Sequence, residues 1–274
     1  MCPLAISGLS AGKVKNTVKL RLLPSSFNPD GSASGLQHLT SFLIDDRVAI
    51  DAGSLALSLT SEQREKIRDI IITHAHLDHI AALPLFIDDQ FSEIREPIRI
   101  YAAPEVLETL EQHIFNWSVY PRFSELENRY GKIIDYRPIT ENPFDILHLR
   151  VSPIPVNHKV PTYGFVVSDS HSTIAITGDT ANMDDFWQRL SEFKRLDALL
   201  IECAFPDELG ELAAMSHHLT PEGLARELEK FSFTDCPVYV INMKPAYREK
   251  ITAQLAGLSI KRLRNLEIGR LYEF

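Results

Sequence analysis

Short apolar runs set between polar turn residues predict strands near the start of the chain, at VKLRLL (18–23), SFLID (41–45) and RVAID (47–51). Asp45-Asp46, between the last two, suits a tight hairpin turn. Thr60-Ser61-Glu62-Gln63 has the spacing of a capping box and predicts a helix from there to about Arg68. The β-branched run DIIIT (69–73) predicts a buried strand that delivers the chain directly into HAHLDH. An apolar stretch from Leu83 to Ile87 reads as helical and IRIYA (98–102) as a strand. PEVLETLEQHIFN (104–116) reads as a helix with Pro104 in its first turn. Residues 117–145 mix aromatics, charges and prolines, and read as an irregular insertion holding one helix. Strands resume in ILHLRVSPIPV (146–156), YGFVVSD (163–169) and STIAIT (172–177). Helix MDDFWQRLSEF, strand ALLIECAF, helix PEGLARELEKF, strand PVYVIN and helix YREKITAQLAGL then alternate to the end.

Paired strands followed by alternating strands and helices imply an α/β protein. Its expected form is a four-layer αββα sandwich, two mixed β-sheets with helices outside. One domain over residues 1–274 is expected, with an insertion at about 104–145.

Composition narrows the function classes. Of 274 residues 45% are hydrophobic, enough for a sizeable core. The net charge of -9 lacks the basic surface that drives counterion release, so nucleic acid is an unexpected partner. One small anion at a metal site remains compatible with that charge, because bound cations dominate locally. Cys2, Cys203 and Cys236 are far apart without C-x-x-C spacing, so structural disulfides are not expected and a reducing compartment fits. The sequence has neither a long signal-type apolar region nor about 18 uncharged apolar residues in a row. A soluble cytoplasmic protein with no membrane partner is the expectation.

The chemistry concentrates in His74-Ala75-His76-Leu77-Asp78-His79, four ligand-type groups on one tight loop after a buried strand. Imidazole and carboxylate suit zinc and related divalent ions. Other loops supply candidates: His158 in VNHKVP, Asp179 in TGDT, and His217 and His218 before Leu219-Thr220-Pro221. Read singly, each of these is as well explained by a solvated loop or a helix cap.

This spacing resembles the metallo-β-lactamase superfamily. THAHLDHIAALP, HIFNWSVYP (113–121), GDTANMDDFWQRL (178–190), LLIECAFP (199–206), HLTPEGLARELEK (218–230) and Lys244-Pro245 narrow the resemblance to the class II cyclic-nucleotide phosphodiesterases. The resemblance implies the metallo-β-lactamase fold and two divalent metal ions, zinc first, with manganese or iron as alternatives. One metal would take His74, His76 and His158. The other would take Asp78 and His79, with Asp179 bridging. Asp51, in IDAG, would orient a ligand loop through hydrogen bonds. Where the family usually has a histidine before Lys-Pro, this chain has Asn242, whose carbonyl oxygen is a weaker zinc ligand, so the second site is expected to be weak. His217 is an outside candidate to close that site.

The implied reaction is hydrolysis of cyclic AMP or cyclic GMP to the 5′-monophosphate, with Asp78 and His218 as catalytic residues. His218 would donate a proton to the leaving oxygen or a hydrogen bond to the phosphate. Lys244 and Trp117 are candidates for substrate contact, and Phe115, Tyr120 and Phe123 join Trp117 as candidate walls of a purine pocket. Two rivals stay open: a tRNA 3′-processing endonuclease of the same superfamily, and a non-catalytic binding member of the fold. A homodimer also stays open.

Overall fold

The computed structural model describes residues 17–274. Strand β1 (Lys19–Leu22) pairs antiparallel with β2 (Phe42–Ile44), which turns back into β3 (Val48–Ile50). Asp45 and Asp46 make that turn, both at positive φ (51° and 54°), as a turn matched to strand twist requires. After α1 (Leu55–Ser58) comes the expected capping box: Thr60 Oγ1 accepts from Gln63 N, and Gln63 Oε1 accepts from Thr60 N. Helix α2 (Ser61–Lys66) ends short of Arg68, because Ile67 turns extended with its side chain fully buried. Strand β4 (Asp69–Ile71) runs parallel to β3 and leads into α3 (Leu77–Ile80) and α4 (Leu83–Asp88).

Residues 104–145 depart from the expected insertion. After β5 (Ile98–Ala102), α5 (Pro104–Thr109) continues as one π-helical stretch to Ile114. A small ribbon follows, β6 (Glu127–Asn128) with β7 (Gly131–Lys132). Then β8 (Ile134–Pro138) pairs parallel with β5. So α5 is a crossover helix and β8 the outer strand of the first sheet. Its mixed composition reflects an edge position, half exposed toward its end.

The second sheet is built from β9 (Phe144–Ile146), β10 (Leu149–Pro155), β11 (Tyr163–Ser168), β12 (Thr173–Ile176), β13 (Ala198–Glu202), β14 (Val238–Ile241) and β15 (Leu263–Asn265). The run 146–156 is not one strand. It breaks at Leu147, which stands at φ 56°, and β9 folds back on β10. The helices of this half are α6 (Asp184–Leu190), α7 (Gly210–Ser216), α8 (Pro221–Leu228) and α9 (Arg248–Gly257). Helix α7 and β15 were not expected from the sequence. Nor was β16 (Leu271–Glu273), which returns to the first sheet and pairs with β1.

The first sheet has the order β16-β1-β2-β3-β4-β5-β8 and the second β15-β14-β13-β12-β11-β10-β9. Strand alternation assigns the layers. Ile70 and Ile72 pack with Leu55, Phe86 and Val106 from the helices, whereas Ile71 packs with Phe165, Ile176 and Leu200 of the other sheet. On the far side, Leu199, Ile201, Val238 and Val240 pack against Phe186, Leu224 and Ile251 of α6, α8 and α9. Two sheets face each other with helices outside, the αββα sandwich expected. Burying each such Leu or Ile contributes about 1.5–3 kcal/mol, so the frame under the loops is rigid.

Cys203 and Cys236 are buried free thiols, and Cys2 lies outside the described residues. Among the described residues no helix is long and apolar enough to cross a membrane.

Candidate metal centre

The motif histidines sit just past the end of β4 and on α3. Asp51 follows β3, His158 follows β10, Asp179 follows β12, Glu202 ends β13 and Asn242 follows β14. Strand ends from both sheets therefore converge on one locus. Several of these positions need left-handed backbone: Asp51 (φ 61°), Gly178 (φ 65°), His217 (φ 56°) and Asn242 (φ 55°). Clustering of such conformations marks a functional site.

Hydrogen bonds assign the imidazole tautomers. Thr73 gives its hydroxyl hydrogen to Asp51, with Oγ1 2.9 Å from Oδ2. The same Oγ1 must therefore accept from His74 Nδ1, 3.0 Å away. His79 Nδ1 lies 2.6 Å from Asp51 Oδ2, His158 Nδ1 lies 3.0 Å from the His217 carbonyl, and His218 Nδ1 lies 2.7 Å from Glu202 Oε1. Each partner is an acceptor, so each Nδ1 carries hydrogen and each Nε2 is turned to the centre.

The Nε2 atoms of His74 and His79 are buried and have no hydrogen-bond partner among the described residues. Buried polar nitrogens are rarely left unpaired, and these two are aimed where a cation would sit. Among the described residues three sets of donor atoms each lie within 4.8 Å of one another: His74, His76 and His158; His74, His79 and Asp179; and His158, Asp179 and His218. Asp179 Oδ2 is 3.4 Å from His79 Nε2 and 3.9 Å from His74 Nε2. Asp78 stands at the rim, its side chain 41% exposed and Oδ2 3.8 Å from His79 Nε2. Nitrogen and carboxylate donors in this grouping fit a divalent metal.

The protonation pattern follows from burial and charge. Burial holds His74 well below the usual imidazole range, lowers His76, and brings His158 down to about 4. Burial also opposes charge on His79, but Asp51 and Asp179 outweigh it and hold that pKa well above its usual value. Asp179 is the counterpart: burial disfavours its charge, yet His79 and then His74 keep it well below the usual carboxylate range. Burial raises Asp51 and Glu202. At His218 burial is again outweighed, here by the hydrogen bond and charge of Glu202, and the pKa rises.

Asn242 reaches the centre in an unexpected orientation. Its amide nitrogen donates to Asp179 Oδ1, while its carbonyl oxygen accepts from Thr40 Oγ1 at 3.0 Å. A carboxylate cannot donate, so the amide nitrogen has to face it, and the carbonyl expected as a weak ligand turns away. The His217 side chain bonds Asn157 Oδ1 at 2.9 Å instead of joining the cluster, and the backbone carbonyl of His217 is what orients His158. Lys244 lies over the Phe205 ring, with Nζ 5.6 Å from its centroid, and its charge reaches His218. Trp117 is 56% exposed, and its polar contacts, to Glu125 and Tyr120, stay within its own loop. Phe115 and Phe123 are fully buried core residues rather than pocket walls.

Three partners escaped the sequence reading. Thr73 and Thr40 carry no distinguishing signal. Glu202 did carry one, a lone carboxylate in the apolar strand ALLIECAF; it is fully buried and takes hydrogens from His218, Thr180 N and Leu219 N.

Residues 46–234 match the beta-lactamase superfamily domain. The chain belongs to this superfamily. The resemblance to the class II phosphodiesterases is borne out as well. A probable 3′,5′-cyclic-nucleotide phosphodiesterase of Yersinia pestis is 26% identical over 211 residues, covering 68% of this chain and 60% of its own. The chain thus spans less than two thirds of that relative. A 3′,5′-cyclic-nucleotide phosphodiesterase of Aliivibrio fischeri is 29% identical over 246 residues, covering 72% of each. The crystal structure of unliganded yeast PDE1 superposes with a TM-score of 0.73 at 17% identity, over 94% of this chain and 99% of that one. As a superfamily member with these His and Asp clusters, the chain has a divalent-metal centre.

Proposed function

We propose that this protein hydrolyses 3′,5′-cyclic nucleotides, cyclic AMP or cyclic GMP, to 5′-nucleoside monophosphates. The observation that carries this reading is the pairing of a clustered His/Asp centre with a proton donor beside it. His218, backed by buried Glu202, offers a donor atom within 4.8 Å of those of His158 and Asp179. The narrower substrate class is supported by the cyclic-nucleotide phosphodiesterases among the relatives.

Forming the 5′-monophosphate breaks the bond from phosphorus to O3′, and the departing oxygen needs a proton. His218 is placed to supply one: Glu202 fixes hydrogen on Nδ1 and raises the pKa, which favours a second hydrogen on Nε2. Lys244 adds positive charge on the same side for the phosphate. His74, His76 and His158 would hold one metal, and Asp78, His79 and Asp179 the other. Metals bound there would supply positive charge to the phosphate and make water a better nucleophile near neutral pH. Asp51 and Thr73 keep the His74 and His79 rings in register by fixing their Nδ1 hydrogens.

The test is a turnover assay of metal-loaded protein on cyclic AMP, cyclic GMP, a bis-aryl phosphate and a tRNA precursor. Cleavage of a cyclic nucleotide with an intact tRNA precursor is the expected result. Trimming of the precursor with both cyclic nucleotides intact would move the assignment to a ribonuclease, and no turnover at all would favour a binding protein.

A further inference from the structure

Among the described residues Asp179 is the carboxylate shared by two of the donor sets, so the use of its two oxygens decides how the metals share it. Oδ2 points at His79 Nε2 and His74 Nε2, 3.4 Å and 3.9 Å away. Oδ1 is already engaged by the Asn242 amide. That amide has no freedom to turn over, because Thr40 Oγ1 donates to its carbonyl at 3.0 Å and Asp179 has no hydrogen to offer. Thr40 is itself tied to the motif loop, since its backbone N donates to the Asp78 carbonyl at 2.8 Å. The chain Asp78 carbonyl, Thr40, Asn242, Asp179 therefore links the two sheets across the centre.

We propose that Asn242 is a positioning residue that locks Asp179, not a ligand: it holds Oδ1 turned to the amide and Oδ2 turned to His79 and His74, and makes the two metal positions unequal. This rests on the metallohydrolase reading above. The position served by His74, His76 and His158 has three imidazoles and is the tight one. The other has only His79, the half-exposed Asp78 and a share of Asp179 Oδ2. Locked ligation predicts a sign opposite to amide ligation. Deleting the amide frees Oδ1 for the weak position, whereas deleting a ligand would empty it.

Asn242→Gly is the variant of choice, because φ 55° costs glycine nothing and the backbone path is kept. Asn242→His adds an imidazole at the same place and serves as a second variant. Each protein would be titrated with zinc alone by calorimetry after chelator treatment, with metal-free thermal unfolding as a check of folding. The wild type should bind one zinc tightly and one weakly. Asn242→Gly should tighten the weak site by about fivefold, the worth of one hydrogen bond no longer competing. Asn242→His should tighten it by about tenfold or more. Loss of the weak zinc in Asn242→Gly would mean that the weak position depends on Asn242, and would overturn the proposal. Two equal zinc sites in the wild type would overturn it while leaving the metallohydrolase reading intact. Absence of any zinc binding would overturn both.

Discussion

Asp51 Oδ2 lies 2.6 Å from His79 Nδ1, and the same carboxylate takes the backbone and hydroxyl hydrogens of Thr73, the residue that orients His74. One buried acid therefore fixes the tautomer of a ring from each of two candidate ligand sets. Asp51→Asn should weaken zinc binding by about 10–100-fold, since outer partners of metal-binding imidazoles carry effects of that size. Competition with a zinc-chelating dye measures it. Affinity within twofold of wild type would mean that ring orientation is set elsewhere.

The histidines of the metal-free protein titrate in opposite senses. His158 has a folded pKa of about 4 against roughly 6.5 in an unfolded chain. As pH falls from about 6.5 to 4, the unfolded chain takes a proton that folded His158 refuses, so stability falls across that window. The folded pKa of His79 is raised, so its contribution is complete below about 6.5 and is lost as pH rises through the folded value. Urea unfolding of chelated protein should show a flatter acid limb in His158→Gln than in wild type. The His79 proton must also leave before Nε2 binds metal, so zinc affinity should climb with pH until the ring is neutral in the metal-free protein. A zinc affinity that does not change with pH would contradict a raised His79 pKa.

His218 is the candidate acid because Glu202 lies under it. His218→Asn should cut turnover of a cyclic nucleotide by about 10²–10⁴-fold. On bis(p-nitrophenyl) phosphate, whose leaving group needs no proton, the loss should be much smaller. Glu202→Gln should act in the same direction more weakly. Because a His218 donor atom also lies within 4.8 Å of those of His158 and Asp179, bound metal must be counted in each variant. Equal losses on both substrates together with missing metal would recast His218 as a ligand.

Gly53 is required by a close approach of backbones. A Cβ there would stand 2.0 Å from the Asp78 carbonyl oxygen and 2.8 Å from Thr40 N. Both neighbours are backbone, and both hold the motif loop, so neither can yield cheaply. Gly53→Ala should destabilise the metal-free protein by about 1–3 kcal/mol, the usual cost of overpacking. It should also loosen the loop that carries Asp78. Thermal unfolding is the direct measure, and a variant as stable as wild type would show that the loop can move aside.

The sequence alone determined the parts of this protein that depend on neighbours along the chain. The unbroken β-branched run Ile70-Ile71-Ile72 predicted a buried strand, Thr60 and Gln63 a helix start, and the six residues from His74 to His79 a metal loop, because each signal spans less than two turns of chain. The tertiary structure decided whatever depends on segments meeting from afar. Strand β16 closing on β1, Glu202 beneath His218, and Thr73 between Asp51 and His74 exist only once segments far apart in the chain have come together. Asn242 is the sharpest case. Its amide could offer either end to the centre, and only the carboxylate of Asp179 on one side and the hydroxyl of Thr40 on the other determine which, since one accepts hydrogen and the other donates it.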